Sequence, residues 1–101
     1  MKTILKNGTL TIFLEGELNS FNAEDVENEI EALLKNNTFT SLVLDLKDLR
    51  YMSSAGIRIV MRLKQRFDDI LLDNMQKDVY DIFDMVGLTK VFNIKRKFVI
   101  S

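Results

Sequence analysis

Residues Leu42 to Val60 read Leu-Val-Leu-Asp-Leu-Lys-Asp-Leu-Arg-Tyr-Met-Ser-Ser-Ala-Gly-Ile-Arg-Ile-Val. The start of this stretch belongs to an apolar run, Ser41 to Leu46, with no alternation at its centre, which is typical of a strand covered on both faces. Its end starts an amphipathic helix, which we expect to run from about Ser54 to Phe67. The stretch therefore predicts a central strand that leads through a charged loop into Ser53-Ser54-Ala55-Gly56 at the start of a helix.

The helix expected over residues 54–67 has an apolar and a polar face. Its spacing predicts that four side chains are buried, namely Ile57, Val60, Met61 and Phe67. The same spacing predicts an exposed stripe at three- and four-residue steps, formed by Arg58, Arg62, Gln65 and Asp69.

The residues before this stretch predict a hairpin and a first helix. Thr3 to Lys6 and Thr9 to Glu15 are β-favouring and flank Asn7-Gly8, a dipeptide suited to a tight hairpin turn. Asn22 to Leu34 has apolar residues at helical spacing. We expect Asn22 to cap this helix, with Phe21 packing onto Val26 as a hydrophobic staple.

The residues after the stretch predict two more strands and a third helix. Ile70 to Leu72 is a short strand, and Gln76 to Val86 is a helix that ends at Gly87. The inner face of this helix is expected to carry Val79, Ile82, Phe83 and Val86. Phe98 to Ile100 is the last, edge strand, which follows the basic cluster Lys95-Arg96-Lys97.

The element order is thus β β α β α β α β, in a chain of 101 residues. This length fits one domain, residues 1–101, with one core. Helices that connect strands as right-handed crossovers imply parallel pairing, whereas the first hairpin is antiparallel. The sequence therefore predicts an α/β fold with a mixed sheet of about five strands and three or four helices.

Composition excludes several classes of function. Fourteen basic against fifteen acidic residues give a net charge of −1, so no global field attracts nucleic acid or anionic lipid. The chain has no cysteine and no histidine, which removes thiol nucleophiles, the usual zinc ligands and the commonest acid/base side chain. We expect no catalytic activity, no cofactor and no metal. No apolar run has the length of a signal-peptide core or a membrane span, so a cytoplasmic location without membrane insertion is expected.

Three motifs resemble a known family. Asp45-Leu46-Lys47 followed by Tyr51-Met52-Ser53-Ser54-Ala55-Gly56-Ile57 is similar to the signature of the sulfate transporter and anti-sigma factor antagonist (STAS) domain, Asp-Leu-Ser, an apolar pair, then Asp-Ser-Ser-Gly-Leu. Gly16-Glu17-Leu18-Asn19 resembles the family's Gly-Glu-Leu-Asp segment, and Phe83 to Leu88 resembles its late helix. Two positions depart from the pattern, since Ser53 replaces the aspartate and Ala55 the second serine.

The resemblance implies an anti-sigma factor antagonist that regulates transcription by switching partners. The resemblance implies that Ser54 is the serine phosphorylated by a kinase-type anti-sigma factor. Ser53 is the second candidate for this phosphorylation. The unmodified protein binds this kinase and phosphorylation releases it, while a serine phosphatase resets the switch. The surface expected to dock on the kinase comprises Asn19, Ser20, Asn22, Met52, Ser53, Ser54, Ala55, Gly56, Arg58 and Arg62.

Physical chemistry is compatible with this switch but also with a simpler role. Free N–H groups and the positive end of the helix dipole stabilise a phosphate at a helix start. Arg58 lies one turn further on the same side of the helix as Ser54, where it could pair with the phosphate. The simpler interpretation is that Ser53 or Ser54 only caps the helix, which contributes about 1 kcal/mol.

Other functions have weaker support in the sequence. The family also includes cytoplasmic accessory subunits of membrane transport systems, which is the main alternative. A ligand-binding or hydrolytic domain would need converging polar groups, and Asp45 with Asp48 is more typical of a loop at a strand end. Lys95 to Lys97 is more typical of a solvated sheet edge than of an anion site. We expect a monomer or weak dimer that binds no nucleic acid.

Overall fold

The chain starts with a hairpin whose turn is made by Asn7 and Gly8. Both residues have positive φ angles, 53° and 80°, which glycine and asparagine tolerate better than other residues. Strands β1 (Thr3–Lys6) and β2 (Thr9–Leu18) leave this turn as an antiparallel pair, with Lys6 opposite Thr9. The predicted hairpin is confirmed.

The computed structural model describes residues 1–98, which form five strands and three helices in the predicted order. After the hairpin come α1 (Ala23–Asn36), β3 (Ser41–Met52), α2 (Ser54–Arg66), β4 (Leu71–Met75), α3 (Lys77–Met85) and β5 (Asn93–Arg96). None of these helices has the length and apolar character needed to cross a bilayer.

The sheet has the order β1-β2-β3-β4-β5, so neighbours in the chain are neighbours in space. Strands β2 to β5 run parallel to one another, and each is joined to the next by a helix. Because parallel strands share a direction, the carboxyl ends of β2, β3 and β4 lie along the same edge of the sheet. The helices that follow these strands therefore all start at this carboxyl edge.

The core lies on one face of the sheet. Buried residues alternate with half-buried ones along β2 and the first half of β3, as in the series Leu10, Ile12, Leu14 and the series Leu42, Leu44, Leu46. All three helices contribute to the same cluster, through Ile30 and Leu34, through Ile59, Val60 and Leu63, and through Val79 and Phe83.

Strand β3 is not buried on both faces, contrary to the prediction from its apolar run. Ser41 and Val43 are only half-buried, while Leu42 and Leu44 are fully buried. A run of valine and leucine is apolar on both faces whether or not both are covered, so composition alone does not distinguish the two cases.

The buried stripes of α2 and α3 also differ from the prediction. On α2, Met61 is exposed, whereas Ile59 and Leu63 join Ile57 and Val60 in the core. On α3, Val86 lies past the last helical residue and is exposed. The α2 stripe passes through Gly56, Val60 and Leu63, and a glycine gives no apolar signal from which to locate it.

The last described strand begins earlier than predicted. It spans Asn93–Arg96 and pairs with β4, because Phe92 and Ile94 supply the apolar contacts to the core. Phe98 follows this strand and its ring packs edge-on against Tyr80, with centroids 5.3 Å apart. Residues 99–100, the rest of the predicted strand, lie outside the described residues. Lys95 to Lys97 are exposed at this sheet edge, as expected.

Candidate functional site

The candidate site lies where β2 and β3 end side by side. Leu18 and Met52, the last residues of these strands, are register partners. The N–H group of Ser53 donates to the carbonyl oxygen of Leu18 at 2.8 Å. The start of α1 and the start of α2, distant in the chain, are therefore held together at the carboxyl edge of the sheet, where ligands of α/β proteins usually bind.

Gly56 allows α2 to approach this edge closely. A Cβ atom at this position would lie 2.7 Å from Cγ of Met52 and 2.8 Å from Cγ of Leu18, well inside contact distance. Both side chains are in the core, Met52 with no exposed surface. Met52 and Gly56 were predicted to contact a partner, and this is wrong for both because they are buried and form the framework beneath the site.

The two serines at the start of α2 have opposite environments. The Oγ atom of Ser53 is buried and has no hydrogen-bond partner among the described residues. Ser54, the first helical residue, is exposed. Ser53 occupies the N-cap position, but its side chain makes no capping hydrogen bond, which does not support the simpler interpretation of Ser53 as a side-chain cap. Only Ser54 offers an accessible hydroxyl beside the free N–H groups of the helix start.

The loop between β2 and α1 is fixed by its two asparagines. Oδ1 of Asn19 accepts hydrogen bonds from the N–H groups of Phe21 and Asn22, at 2.9 and 3.2 Å. Oδ1 of Asn22 accepts from the N–H of Asn19 at 2.9 Å, and its Nδ2 donates to the carbonyl of Glu17. Asn22 therefore bonds back to the loop and does not cap α1, which corrects the prediction. Both side chains are half-buried and stabilise the loop itself.

Phe21 projects into solvent from this loop with 95% of its surface exposed. It does not pack on Val26 as a staple, which corrects the prediction. The residues predicted to dock did not include Phe21, which was expected to pack as a staple. Asn19 was the one sequence signal for a turn at this point, because asparagine side chains commonly accept a hydrogen bond from the N–H group two residues further on.

Two arginines of α2 are neutralised by glutamates of α1. Arg62 binds Glu27 through two hydrogen bonds of 2.8 Å, from Nε and from a terminal nitrogen. The hydrogen bond to Glu27, reinforced by its charge, raises the pKa of Arg62. Arg66 pairs with Glu31 at 2.6 Å one turn further on. These pairs cross-link the two helices that carry the site.

Arg58, one turn before Arg62, makes no ion pair with any residue of the described range 1–98. It lines a shallow groove of about 240 Å³ between the two helix starts. The groove is also lined by Ser20, Ala23, Glu24, Glu27, Ala55, Ile59 and Arg62. Four of the predicted docking residues, Ser20, Ala55, Arg58 and Arg62, thus lie together on one surface. Arg62 is the one of these whose charge is already matched.

Asp45 is buried, and its carboxylate is held by hydrogen bonds within the sheet. It is 8% exposed, and its carboxylate accepts hydrogen bonds from the N–H of Lys47 and from Nδ2 of Asn74, both at 3.0 Å. Asp48 is exposed. Asp45 therefore joins β3 to β4 and is not a loop residue as the sequence suggested, because β3 continues past it to Met52.

Comparison with known proteins identifies the family. The model of the STAS domain matches residues 1–99. The chain belongs to the STAS domain family. A STAS relative, the putative anti-sigma factor antagonist BtrV of Bordetella bronchiseptica, is 34% identical over 92 residues, which cover 87% of this chain and 78% of that protein.

Solved STAS structures have the same fold. The anti-sigma factor antagonist SpoIIAA in its unphosphorylated form is 20% identical and superposes with a TM-score of 0.73, over 95% of this chain and 88% of that one. The Bacillus protein SpoIIAA in its phosphorylated form is 19% identical, with a TM-score of 0.65 over 95% and 91%. These likenesses confirm the predicted mixed α/β fold.

Proposed function

We propose that this STAS protein is an anti-sigma factor antagonist, which binds a kinase-type anti-sigma factor when unmodified and is released when Ser54 is phosphorylated. The observation that carries this proposal is the contrast between the two serines at the α2 start. Ser54 is exposed and directly precedes Ala55, which lines the groove, whereas the Oγ atom of Ser53 is buried. Kinase access therefore favours Ser54. The relationship to BtrV, a putative antagonist, supports the same role.

Phosphorylation of Ser54 would act without refolding the protein. The phosphate adds up to two negative charges at the start of α2, where free N–H groups and the helix dipole stabilise anions. The fold relative SpoIIAA is known in a phosphorylated form. The effect falls on the partner, because a surface fitted to a neutral hydroxyl must then desolvate a dianion.

The size of this effect is sufficient for a switch. Leaving a charge buried and unpaired at an interface costs about 3 to 5 kcal/mol. Each 1.4 kcal/mol changes a dissociation constant about tenfold, so one phosphate would weaken a complex by more than about a hundredfold. A micromolar complex would then dissociate at cellular concentrations.

The chain itself performs no chemistry in this switch. Phosphate transfer belongs to the partner kinase, and a serine phosphatase restores the unmodified form. One monomer presents the groove and Ser54 together, so no second copy is needed. As an antagonist of a sigma factor regulator, the protein acts in the cytoplasm.

Paired affinity baits test the proposal. Wild-type protein and Ser54→Asp are used to capture proteins from a lysate of the native cell, and retained proteins are identified by mass spectrometry. The expected result is an ATP-binding anti-sigma factor held by wild type and lost with Ser54→Asp. This protein is then purified and shown to phosphorylate Ser54 in the presence of ATP. Transporter subunits held equally by both baits would contradict the proposal and support the accessory-subunit alternative.

A further inference from the structure

Phe21 is the most exposed large apolar side chain of the described residues. At 95% exposure it contributes almost nothing to the stability of the core. Single exposed apolar residues are common, so exposure by itself decides nothing. The position of Phe21 is more informative, because its chain neighbour Ser20 lines the groove with Ala55, next to Ser54, and with Arg58.

The backbone under Phe21 is held in place. Its N–H group donates to Oδ1 of Asn19, and the N–H of Asn22 on its other side donates to the same atom. Asn22 is fixed in turn by its bonds to Asn19 and Glu17. An aromatic side chain on a fixed loop loses little conformational entropy on binding, which is typical of residues that dominate interface energies.

The groove that Ser20, the chain neighbour of Phe21, lines also holds an arginine without an ion pair among residues 1–98. Arg62 and Arg66 are paired with glutamates of α1, while Arg58 makes no ion pair within residues 1–98. Along this seam of the two helices, Arg58 is therefore the arginine whose charge an incoming group can match. The complementary group on a protein is a carboxylate, which an arginine binds with two parallel hydrogen bonds.

We propose that Phe21 and Arg58 are the two main contacts for the partner, whose surface presents an apolar pocket beside a carboxylate. This inference rests on the proposed function, since the occupant is the kinase-type anti-sigma factor. It adds Phe21 to the docking surface and gives each contact a chemical complement. Aromatic and arginine side chains are the residue types most enriched among dominant interface contacts.

The same arrangement links docking to the switch. Ser54 and Arg58 are four residues apart on α2 and therefore lie on the same side of the helix. A phosphate on Ser54 competes with the carboxylate of the partner for the Arg58 guanidinium. Phosphorylation thus places a repulsive charge in the interface and removes the cation that the partner uses.

Binding constants of surface variants test this inference with the purified anti-sigma factor kinase. The variants are Phe21→Ala and Arg58→Gln, and the matched controls are Met85→Ala and Lys90→Gln. Met85 is 83% exposed, and Lys90 is exposed and makes no ion pair with a residue of the described range 1–98. Both controls lie at or after the end of α3, near the amino ends of the parallel strands, whereas Ser54 lies at their carboxyl ends. Thermal unfolding of each variant checks that the fold is unchanged.

We expect Phe21→Ala and Arg58→Gln each to weaken binding by about tenfold or more, and the controls by less than about twofold. The Arg58→Gln complex should also depend less on salt than the wild-type complex, because a charge contact is lost. If Phe21→Ala binds like wild type while Ser54→Asp does not bind, the inference is wrong and the proposed function stands. If the wild-type protein itself does not bind the kinase, both are wrong.

Discussion

Ser53 and Ser54 are consecutive in the chain, yet the Oγ atom of Ser53 is buried without a hydrogen-bond partner in residues 1–98, whereas Ser54 is exposed on the first turn of α2. The difference arises because the N–H of Ser53 is bonded to Leu18 at the end of β2, which draws this residue against the sheet. The parallel pairing of β2 and β3 thus determines which of the two adjacent hydroxyls is accessible.

Replacing these serines should separate modification from stability. Ser54→Ala should abolish phosphate incorporation by the anti-sigma factor kinase, measured by intact mass, and Ser53→Ala should leave it within about twofold. Because the Ser53 hydroxyl makes no capping bond, Ser53→Ala should lower the free energy of unfolding by well under the approximately 1 kcal/mol of an ordinary N-cap replacement. Phosphate found on Ser53 in the wild-type protein would contradict this account of access.

Gly56→Ala tests the close approach of α2 to the sheet. Alanine has the higher helix propensity by about 1 kcal/mol, so an open site would be stabilised. Here the added Cβ would collide with Met52 and Leu18, and we expect a loss of about 1 to 3 kcal/mol in the free energy of unfolding. Denaturant unfolding measures this loss. Gly16→Ala is the control for a glycine with no atom within 4 Å of an added Cβ, although its φ of +75° adds backbone strain. A more stable Gly56→Ala protein would show that the contact is not tight.

Asp45→Ala tests the buried link between β3 and β4. Its removal leaves the N–H of Lys47 and the Nδ2 of Asn74 without their acceptor, and we expect a loss of about 1 to 3 kcal/mol. The exposed Asp48 is the matched control, and Asp48→Ala should change stability by no more than about 0.5 kcal/mol. Equal effects of the two replacements, measured by chemical unfolding, would argue against a structural role for Asp45.

The sequence predicted the fold well because its strongest signals are local. Asn7-Gly8 defines the hairpin, and the apolar spacing of α1 and α3 defines two of the three crossovers, so the element order follows directly. Details that depend on contacts between elements were predicted less well. Met61 and Val86 are apolar but exposed, because the faces of α2 and α3 are set by packing that no single periodicity contains.

The structure brings together part of the predicted docking surface. Ser20, Ala55, Arg58 and Arg62 do line one groove, since β2 and β3 end together. Met52 and Gly56 were misplaced because the motif does not show which of its residues face inward. Phe21 was misassigned as a staple because the hydrogen bonds of Asn19 and Asn22, which hold the loop around it, become apparent only in three dimensions.

The most direct test of the central claim is the affinity of the purified anti-sigma factor kinase for two forms of this protein, unmodified and phosphorylated on Ser54. Isothermal titration calorimetry in the absence of ATP measures the affinities of both forms without phosphorylation of the unmodified protein during the titration. We predict that the unmodified form binds and that the phosphorylated form binds at least about a hundredfold more weakly, which corresponds to roughly 2.8 kcal/mol. Equal affinities of the two forms would contradict the partner-switching account.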